Sequence, residues 1–157
     1  MAIERLAQTV VVDPIESRIL LAYHKSGMFA GNYTGLLDEV QTGEQPEDAA
    51  HRIASEQSSI VVGPIVLRAI LTFTSPDGAS ADEYEFYSED FTGVPTETSD
   101  RRAEWFSLDA IPYENMPADD AIWYPPFLDG KLQRGTFNFD TGMVKLLDYQ
   151  LSEVETL

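Results

Sequence analysis

The alternation of apolar and polar residues predicts a chain rich in strands. Short apolar runs, separated by segments of Pro, Gly, Asp and Ser, are typical of strands that end in turns. The predicted strands cover residues 8–12, 18–23, 60–62, 65–74, 83–88, 103–106, 135–139 and 143–149. Turn-forming residues join the first two and the last two strands, so we expect a hairpin at each of these places.

Two segments carry helix signals instead. Residues 46–58 begin with Pro46, which the first helical turn tolerates, and two acidic residues follow it near the positive end of the helix dipole. A second helix should begin at Asp119 or Asp120 and run to residue 128, before Gly130. Strands interleaved with two helices predict an α/β (α+β) fold, a mixed sheet in an α/β/α sandwich.

Length and composition limit the classes of protein that the chain can belong to. Its 157 residues suffice for one domain with its own core, so we predict a single domain over residues 1–157. There is no cysteine, which excludes disulfides and thiol catalysis, and no apolar run of membrane-spanning length. The first residues lack a signal-peptide pattern, and we therefore expect a cytoplasmic protein without a membrane partner.

The charge of the chain argues against one class of ligand. The sequence has 27 acidic and 10 basic residues, a formal net charge of −17 at pH 7. Such a surface repels phosphate backbones, so polymeric nucleic acid is an unfavourable partner. A small nucleotide ligand remains compatible with this charge, because a local group of amides, arginines or a metal ion can reverse the field.

Residues 35–60 carry the most informative motif. They read GLLDEVQTGEQPEDAAHRIASEQSSI, in which Glu44, Arg52, Glu56 and Ile60 keep the spacing of the Nudix box, G-x5-E-x7-R-E-U-x-E-E-x-G-U. This segment resembles that box, where U is a bulky aliphatic residue. The resemblance implies a loop, helix and loop that bind a divalent metal and a pyrophosphate.

The similarity extends beyond the box to one branch of the family. From residue 31 to residue 154 the chain resembles the oxidised purine nucleoside triphosphatases of the MutT type. The supporting segments are residues 31–35, 40–44, 103–106, 111–112, 119–125 and 147–154. This resemblance implies a Nudix-type α/β/α sandwich and a nucleoside triphosphate substrate.

Four of the glycine and glutamate positions of the box differ in this chain. Asp38 and Ser59 replace its glycines, while Ile53 and Gln57 replace two of its glutamates. In active family members, the resemblance implies, three glutamates on one helix face hold magnesium or activate water, and only Glu56 survives here. Magnesium is held by oxygen ligands, and a single retained glutamate supplies few of them. We therefore expect weak or absent metal binding. Gln57 could still offer a neutral carbonyl oxygen.

The resemblance supplies the catalytic and metal candidates. The catalytic candidates are Glu56, Glu44 and Arg52, and the metal candidates are Glu56 and Asp100. Each has a structural alternative: Glu44 suits a helix start, and Arg52 could form a salt bridge to Glu44 or Glu56.

The same resemblance supplies the substrate-binding candidates. They are Thr9, Met28, Tyr33, Thr34, Asp119, Asp120 and Trp123. Asp119 and Asp120 match two aspartates that read the purine edge in the branch. Because neighbouring carboxylates resist double ionisation, one can keep a proton and donate a hydrogen bond. The alternative is a helix cap, for which one aspartate suffices.

Three hypotheses about function follow. The first is a Nudix-fold protein with a nucleotide-sized pocket and weak or lost hydrolase activity. The second is an active magnesium-dependent diphosphatase that releases a nucleoside monophosphate and pyrophosphate. The third is a scaffold for a protein partner, which an exposed apolar patch centred on Ile53 would favour.

Overall fold

The computed structural model of the chain describes residues 4–157. Within that range the strands are β1 (Glu4–Asp13), β2 (Arg18–His24), β3 (Tyr33–Thr34), β4 (Leu36–Glu39), β5 (Val61–Val62), β6 (Val66–Thr74), β7 (Ser80–Ser88), β8 (Phe91–Thr92), β9 (Arg101–Ser107), β10 (Leu132–Phe139) and β11 (Leu146–Val154). The helices are α1 (Pro46–Ser58), α2 (Asp120–Leu128) and a 3₁₀ turn at Tyr113–Asn115. None of these helices is long and apolar enough to span a membrane.

Nine of the strands form one mixed sheet. Its main path runs β11-β10-β6-β7-β1-β2-β3, while β4 also pairs with β1 and β9 with β2. The β1–β7 and β6–β10 pairs are parallel, and the other pairs in this sheet are antiparallel. The register of β1 on β7 places Leu6 beside Glu83 and Gln8 beside Glu85.

The two faces of this sheet pack against different helices. One face joins the apolar side chains of α2 in a cluster that includes Val10, Val12, Leu71, Phe137, Trp123, Tyr124 and Phe127. The other face joins α1 in a cluster that includes Ala7, Val11, Leu36, Phe86, Ala49, Ala50 and Ile53. This arrangement confirms the α/β (α+β) prediction of a mixed sheet between helices.

The main differences from the predicted elements lie in the loops. The first hairpin and the helix at 46–58 are found as predicted. The closing hairpin begins its second strand at Leu146, not at residue 143, because Asp140 Oδ1 accepts hydrogen bonds from the amides of Val144 and Lys145 and extends the turn. The short strands β3 and β8 were not predicted, since two residues leave too short a pattern.

Helix α1 ends in a left-handed residue. Ser59 has φ 65° and ψ 6°, and its amide donates to the carbonyl of Ser55 at 2.9 Å. Glycine takes this conformation at little cost, whereas a residue with a Cβ is less stable there. Ser59 therefore ends the helix at a cost in backbone energy.

We predict that Ile53→Ala lowers the free energy of unfolding by about 2–5 kcal/mol. Ile53 is fully buried between α1 and the sheet, so the variant loses apolar burial and leaves a cavity. Ile15→Ala is the matched control, because Ile15 is 90% exposed and the same change should stay within about 0.5 kcal/mol of wild type. Urea denaturation measures both; equal effects of the two substitutions would contradict the burial of Ile53.

Candidate functional site

An ion-pair network fixes the outer face of α1. The Arg52 Nε and Nη2 groups donate to the two carboxylate oxygens of Glu44 at 2.9 and 3.0 Å, and Arg52 Nη1 donates to Glu56 Oε2 at 3.0 Å. Arg52 also donates to the carbonyl of Glu39. The Arg52 guanidinium and the amide of Gln41 lower the pKa of Glu44 from 4.5 to about 2. Glu44 is therefore an anion whose oxygens both have partners, and the salt-bridge alternative for Arg52 is present in the structure.

The inner face of α1 is committed to packing and to one strand. Ile53 is completely buried in the α1 cluster, alongside Ala49 and Ala50. Gln57 is also buried, and its side-chain amide is paired with the backbone of Leu37: Oε1 accepts from the amide at 3.1 Å and Nε2 donates to the carbonyl at 2.8 Å. Gln57 therefore supports β4 and does not extend its carbonyl oxygen toward a metal. Ile53 forms no exposed apolar patch of the kind that would favour the scaffold hypothesis, because its side chain is inside the core.

A cavity of about 640 Å³ opens on the α2 face of the sheet. Its wall combines the ends of β1 and β7 with the loops around residues 28–32, 116–120 and 142–144. Four of the predicted substrate-binding residues lie in this wall: Met28, Thr34, Asp119 and Asp120. The apolar part includes Leu37, Phe73, Met116 and Phe139. The size and the mixed lining suit a ligand of the dimensions of a nucleotide base and sugar.

Three predicted substrate-binding residues lie outside the wall. Thr9 is buried on the α1 side of the sheet, where its hydroxyl contacts the carbonyl of Ala50 at 3.3 Å. It fails to reach the cavity because neighbouring residues of a strand point to opposite faces. The Tyr33 ring packs edge-on against Tyr23 and Phe106 instead.

Trp123 does not line the cavity but binds two residues that do. The indole is fully buried, and its Nε1 donates to Asp119 Oδ2 at 2.8 Å and to Asp120 Oδ1 at 3.1 Å. Asp119 makes no side-chain cap bond to α2, so the helix-cap alternative does not hold for this residue. Trp123 therefore positions the two carboxyl groups that face the cavity.

Sequence reasoning missed a polar group beside these aspartates. Gln8, Glu83 and Glu85 are buried on the sheet floor, and the Gln8 Nε2 donates to Glu83 Oε1 at 3.2 Å and to Glu85 Oε2 at 2.6 Å. The Gln8 Oε1 accepts from the amide of Gly35 at 2.6 Å and from the Tyr124 hydroxyl at 3.2 Å. The period of two in β1 and β7 could have revealed this group, since Gln8 shares a face with Val10, and Glu83 with Tyr87.

Gly35 makes room for Gln8. A Cβ on Gly35 would lie 2.6 Å from Gln8 Oε1 and 2.9 Å from its Cγ, closer than packed atoms allow. The backbone amide of Gly35 also fixes the orientation of the Gln8 side chain, because an amide donor requires the carbonyl oxygen as its acceptor. The Nε2 group must therefore face the glutamates.

Burial controls the ionisation of the carboxyl groups in this region. Desolvation raises the pKa of Glu83 to about 7, and desolvation with repulsion from Glu83 raises the pKa of Glu85 well above the usual range. Burial likewise raises the pKa of Asp119, and burial together with the charge of Asp119 raises the pKa of Asp120. Burial and mutual repulsion therefore favour a protonated carboxyl group within each of these two pairs.

Comparison with known proteins identifies the family. An oxidised purine nucleoside triphosphate hydrolase from Danio rerio is 35% identical over 153 residues, which cover 97% of this chain and 96% of the relative. The protein of the same name from Mus musculus is 33% identical over 149 residues, covering 94% and 95%. The chain belongs to the Nudix hydrolase family. No family model matches it.

Solved Nudix structures agree in fold. A mutator MutT protein from Bacillus halodurans superimposes with a TM-score of 0.83 at 21% identity, over 96% of this chain and 98% of the other. A MutT Nudix hydrolase from Burkholderia pseudomallei gives a TM-score of 0.64 at 23% identity, over 71% and 88%. The MutT-like fold and the resemblance to oxidised purine nucleoside triphosphate hydrolases are thus confirmed.

The metal site expected of a Nudix hydrolase does not fit the side chains on α1. Family members generally use a divalent metal such as magnesium. At the three glutamate positions of the box this Nudix protein offers only the Glu56 carboxylate, which is paired with Arg52. Asp100 lies in the exposed loop before β9. Within residues 4–157 no three Asp, Glu, His or Cys side chains are grouped as metal ligands.

We predict that the stability of Glu85→Gln, measured relative to wild type, is greater at pH 8 than at pH 5. Glu85 has a raised pKa in the folded protein, so its favourable contribution is complete below about pH 4.5 and is lost as the pH rises toward the folded pKa. Each pH unit in that window costs wild type about 1.4 kcal/mol, whereas glutamine does not titrate. Urea denaturation at both pH values measures the difference between variant and wild type.

The exposed Glu16→Gln is the control for this experiment. Its side chain lies in solvent, so its stability should follow wild type at both pH values. If Glu85→Gln also followed wild type across the whole range, the buried carboxyl pair would not carry the proton that the structure requires.

Proposed function

We propose that this Nudix protein binds a nucleotide in the cavity on the α2 face and has weak or lost hydrolase activity. Asp119 and Asp120 contact the base, with Met28 and Thr34 beside them, and magnesium binds weakly or not at all. The observation that carries this proposal is the separation of the two regions. The cavity wall has kept its paired aspartates, whereas Ile53 and Gln57 of α1 are used for packing and for β4.

The chemistry of α1 supports the loss of activity. Magnesium loses its water shell reluctantly and is usually held by carboxylates together with substrate phosphates. A side chain in the apolar core cannot coordinate it, and the Gln57 carbonyl oxygen is buried and directed at the Leu37 amide. A neutral amide is also no general base, so Gln57 cannot take a proton from water.

The cavity supports nucleotide binding. Trp123 holds both aspartates from behind, so the carboxyl groups are oriented before a ligand arrives. Such pre-organisation lowers the entropic cost of binding. One protonated and one ionised carboxyl can meet a base edge that offers an acceptor and a donor. The relatives named as oxidised purine nucleoside triphosphate hydrolases make a purine nucleotide the first ligand class to test.

A second function, active diphosphatase, is favoured by one observation. Glu44, Arg52 and Glu56 keep the spacing of the box and form a connected ion-pair network on the exposed side of α1. If Glu56 with substrate phosphates sufficed to hold magnesium, Glu56 and Asp100 would be the metal ligands, and Glu44 and Arg52 would position Glu56. The products would then be a nucleoside monophosphate and pyrophosphate.

The remaining assignments are proposals that follow from sequence. We propose a single domain, a cytoplasmic location and no polymeric nucleic acid or membrane partner. The net charge of −17 supports the exclusion of nucleic acid polymers. The alternative is that the protein is a non-catalytic scaffold that binds a protein partner.

We predict binding without turnover for the wild-type protein. Calorimetric titration with normal and oxidised purine nucleoside triphosphates and monophosphates, with and without magnesium, should detect binding that depends little on the metal. A pyrophosphate-release assay on each binder should show no rate above the protein-free reaction. Asp120→Asn tests the binding part, because it alters the hydrogen-bonding pattern of the aspartate pair at constant size.

Glu56→Gln and Glu47→Gln form the matched pair for the activity part. Both glutamates lie on α1 and are exposed, but only Glu56 belongs to the box network. Magnesium-dependent pyrophosphate release that Glu56→Gln abolishes and Glu47→Gln leaves unchanged would establish the diphosphatase and overturn the proposed loss of activity.

We predict that Ile53→Glu combined with Gln57→Glu gives magnesium-dependent hydrolysis at least about ten times faster than the protein-free reaction. This factor is equivalent to about 1.4 kcal/mol of barrier. The double variant returns two carboxylates to the face of α1. It should also melt at a lower temperature, because Ile53 leaves the core and residue 57 no longer donates to the Leu37 carbonyl.

Ile53→Gln is the control for this gain. Glutamine has the same size as glutamate and is also polar, but it adds no negative charge that could bind a metal. A folded double variant that hydrolyses no faster than this control would mean that the cavity no longer presents the pyrophosphate group to α1.

A further inference from the structure

The buried polar residues of the cavity form a distinct inner wall. We use this term for the five lining side chains that are both polar and buried: Gln8, Thr34, Glu83, Asp119 and Asp120. The more polar rim, with Asn32 and Ser80, is more exposed to solvent. No lysine, arginine or histidine lines the cavity among the residues that the structure describes. A ligand that reaches the inner wall must therefore satisfy a surface of acids, an amide and a hydroxyl.

The donors of the inner wall are already used. Both Gln8 N–H groups point to the glutamates. The Thr34 hydroxyl lies 2.6 Å from the Gly35 carbonyl and 2.6 Å from His24 Nε2, so either partner that takes its proton keeps it from a ligand. Trp123 Nε1 behind the wall is shared between Asp119 and Asp120. No proton of these three side chains is left to donate to a carbonyl oxygen of a ligand.

The acceptors, in contrast, exceed the donors. Glu83 and Glu85 present four carboxyl oxygens to the two N–H groups of Gln8, and Glu85 Oε1 is buried without a hydrogen-bond partner. A proton shared between Glu83 and Glu85 lies inside that pair. Buried acceptors without donors are costly, so a ligand that brings a donor to Glu83 lowers the cost of this surplus.

Glu83 is the member of the glutamate pair that a ligand can reach. It lines the cavity, whereas Glu85 lies behind it, next to Gln8 on the sheet. Repulsion between Glu83 and Asp119, and between Asp120 and Glu85, shows that the two carboxyl pairs act on each other across the wall. A donor-rich or positively charged ligand edge would relieve this repulsion.

We propose that the cavity selects purine nucleotides whose base presents exocyclic amino groups in place of carbonyl oxygens, and that Glu83 sets this preference. This inference rests on the proposed nucleotide-binding function. A base carbonyl directed at Glu83 meets an acceptor and leaves both oxygens unpaired, whereas an amino group there donates to the carboxylate. Specificity arises from this penalty on the wrong base as much as from the contact to the right one.

The test is a series of nucleoside monophosphates that differ in their amino groups. Inosine has none, adenosine has one and 2,6-diaminopurine riboside has two. Calorimetry on the wild-type protein should give an affinity that increases along this series, with at least a tenfold ratio between the last and the first. Monophosphates keep the measurement independent of hydrolysis.

Glu83→Gln should reduce that ratio to near one, mainly by improving the binding of the inosine nucleotide. Glutamine keeps an acceptor for Gln8 and gains an amide group that can donate to a base carbonyl. Two controls should keep the wild-type ratio. Glu85→Gln places a side-chain amide next to Glu83 on the side away from the cavity, where it can donate to the Glu83 carboxylate. Asp82→Asn changes the neighbouring residue of the strand, whose carboxylate accepts a hydrogen bond from Thr72 outside the cavity wall.

The outcomes separate the two proposals. Equal affinities along the series in wild type, or a ratio that survives Glu83→Gln in a variant that melts like wild type, would overturn the role of Glu83 while nucleotide binding stands. Binding by none of the three nucleotides, nor by the triphosphates tested above, would overturn the proposed function and this inference together.

Discussion

The side-chain amide of Gln8 is the contact on which the cavity depends. It joins β1 to the residue before β4 through Gly35, to α2 through Tyr124 and to β7 through Glu83 and Glu85. All four of its hydrogen-bonding positions are occupied, and all lie inside the protein. A buried amide with every partner in place fixes the relative positions of the elements around it, because the loss of any one bond would leave a desolvated group.

The inner face of α1 shows why binding and catalysis can diverge in one fold. A helix position either faces the core or faces a metal, and Ile53 has taken the first role. Gln57 uses both ends of its amide on Leu37, which lines the cavity and pairs with Gln8 in the sheet. The position that the box assigns to a metal ligand thus supports the wall of the cavity here. Through Leu37, Gln57 is the α1 side chain that supports a residue of the cavity wall.

Much of the fold, and less of the site, follows from the sequence. Helix α1 and the first hairpin were predictable because proline, acidic residues and long apolar runs are strong local signals. The departures of Ile53 and Gln57 were visible, but only the structure shows that one fills the core and the other binds β4. Thr9 was assigned to the cavity and Gln8 was missed, although they are neighbours. A shift of one residue along a strand exchanges its faces, so the choice of Thr9 instead of Gln8 placed the predicted contact on the wrong face.

That same alternation places the cavity and α1 on opposite faces of the sheet. Along β1 the odd residues Ala7, Thr9 and Val11 turn toward α1, and the even residues turn toward α2 and the cavity. Substitutions on α1 therefore meet the odd side chains and leave the even ones in place. The two carboxyl pairs lie on the face of the sheet toward which the even residues of β1 point. Trp123, Tyr124 and Gln8 hold them there, and the outer ion pairs of α1 do not contact them. A ligand bound on that side would meet groups whose positions are fixed by Trp123, Tyr124 and Gln8.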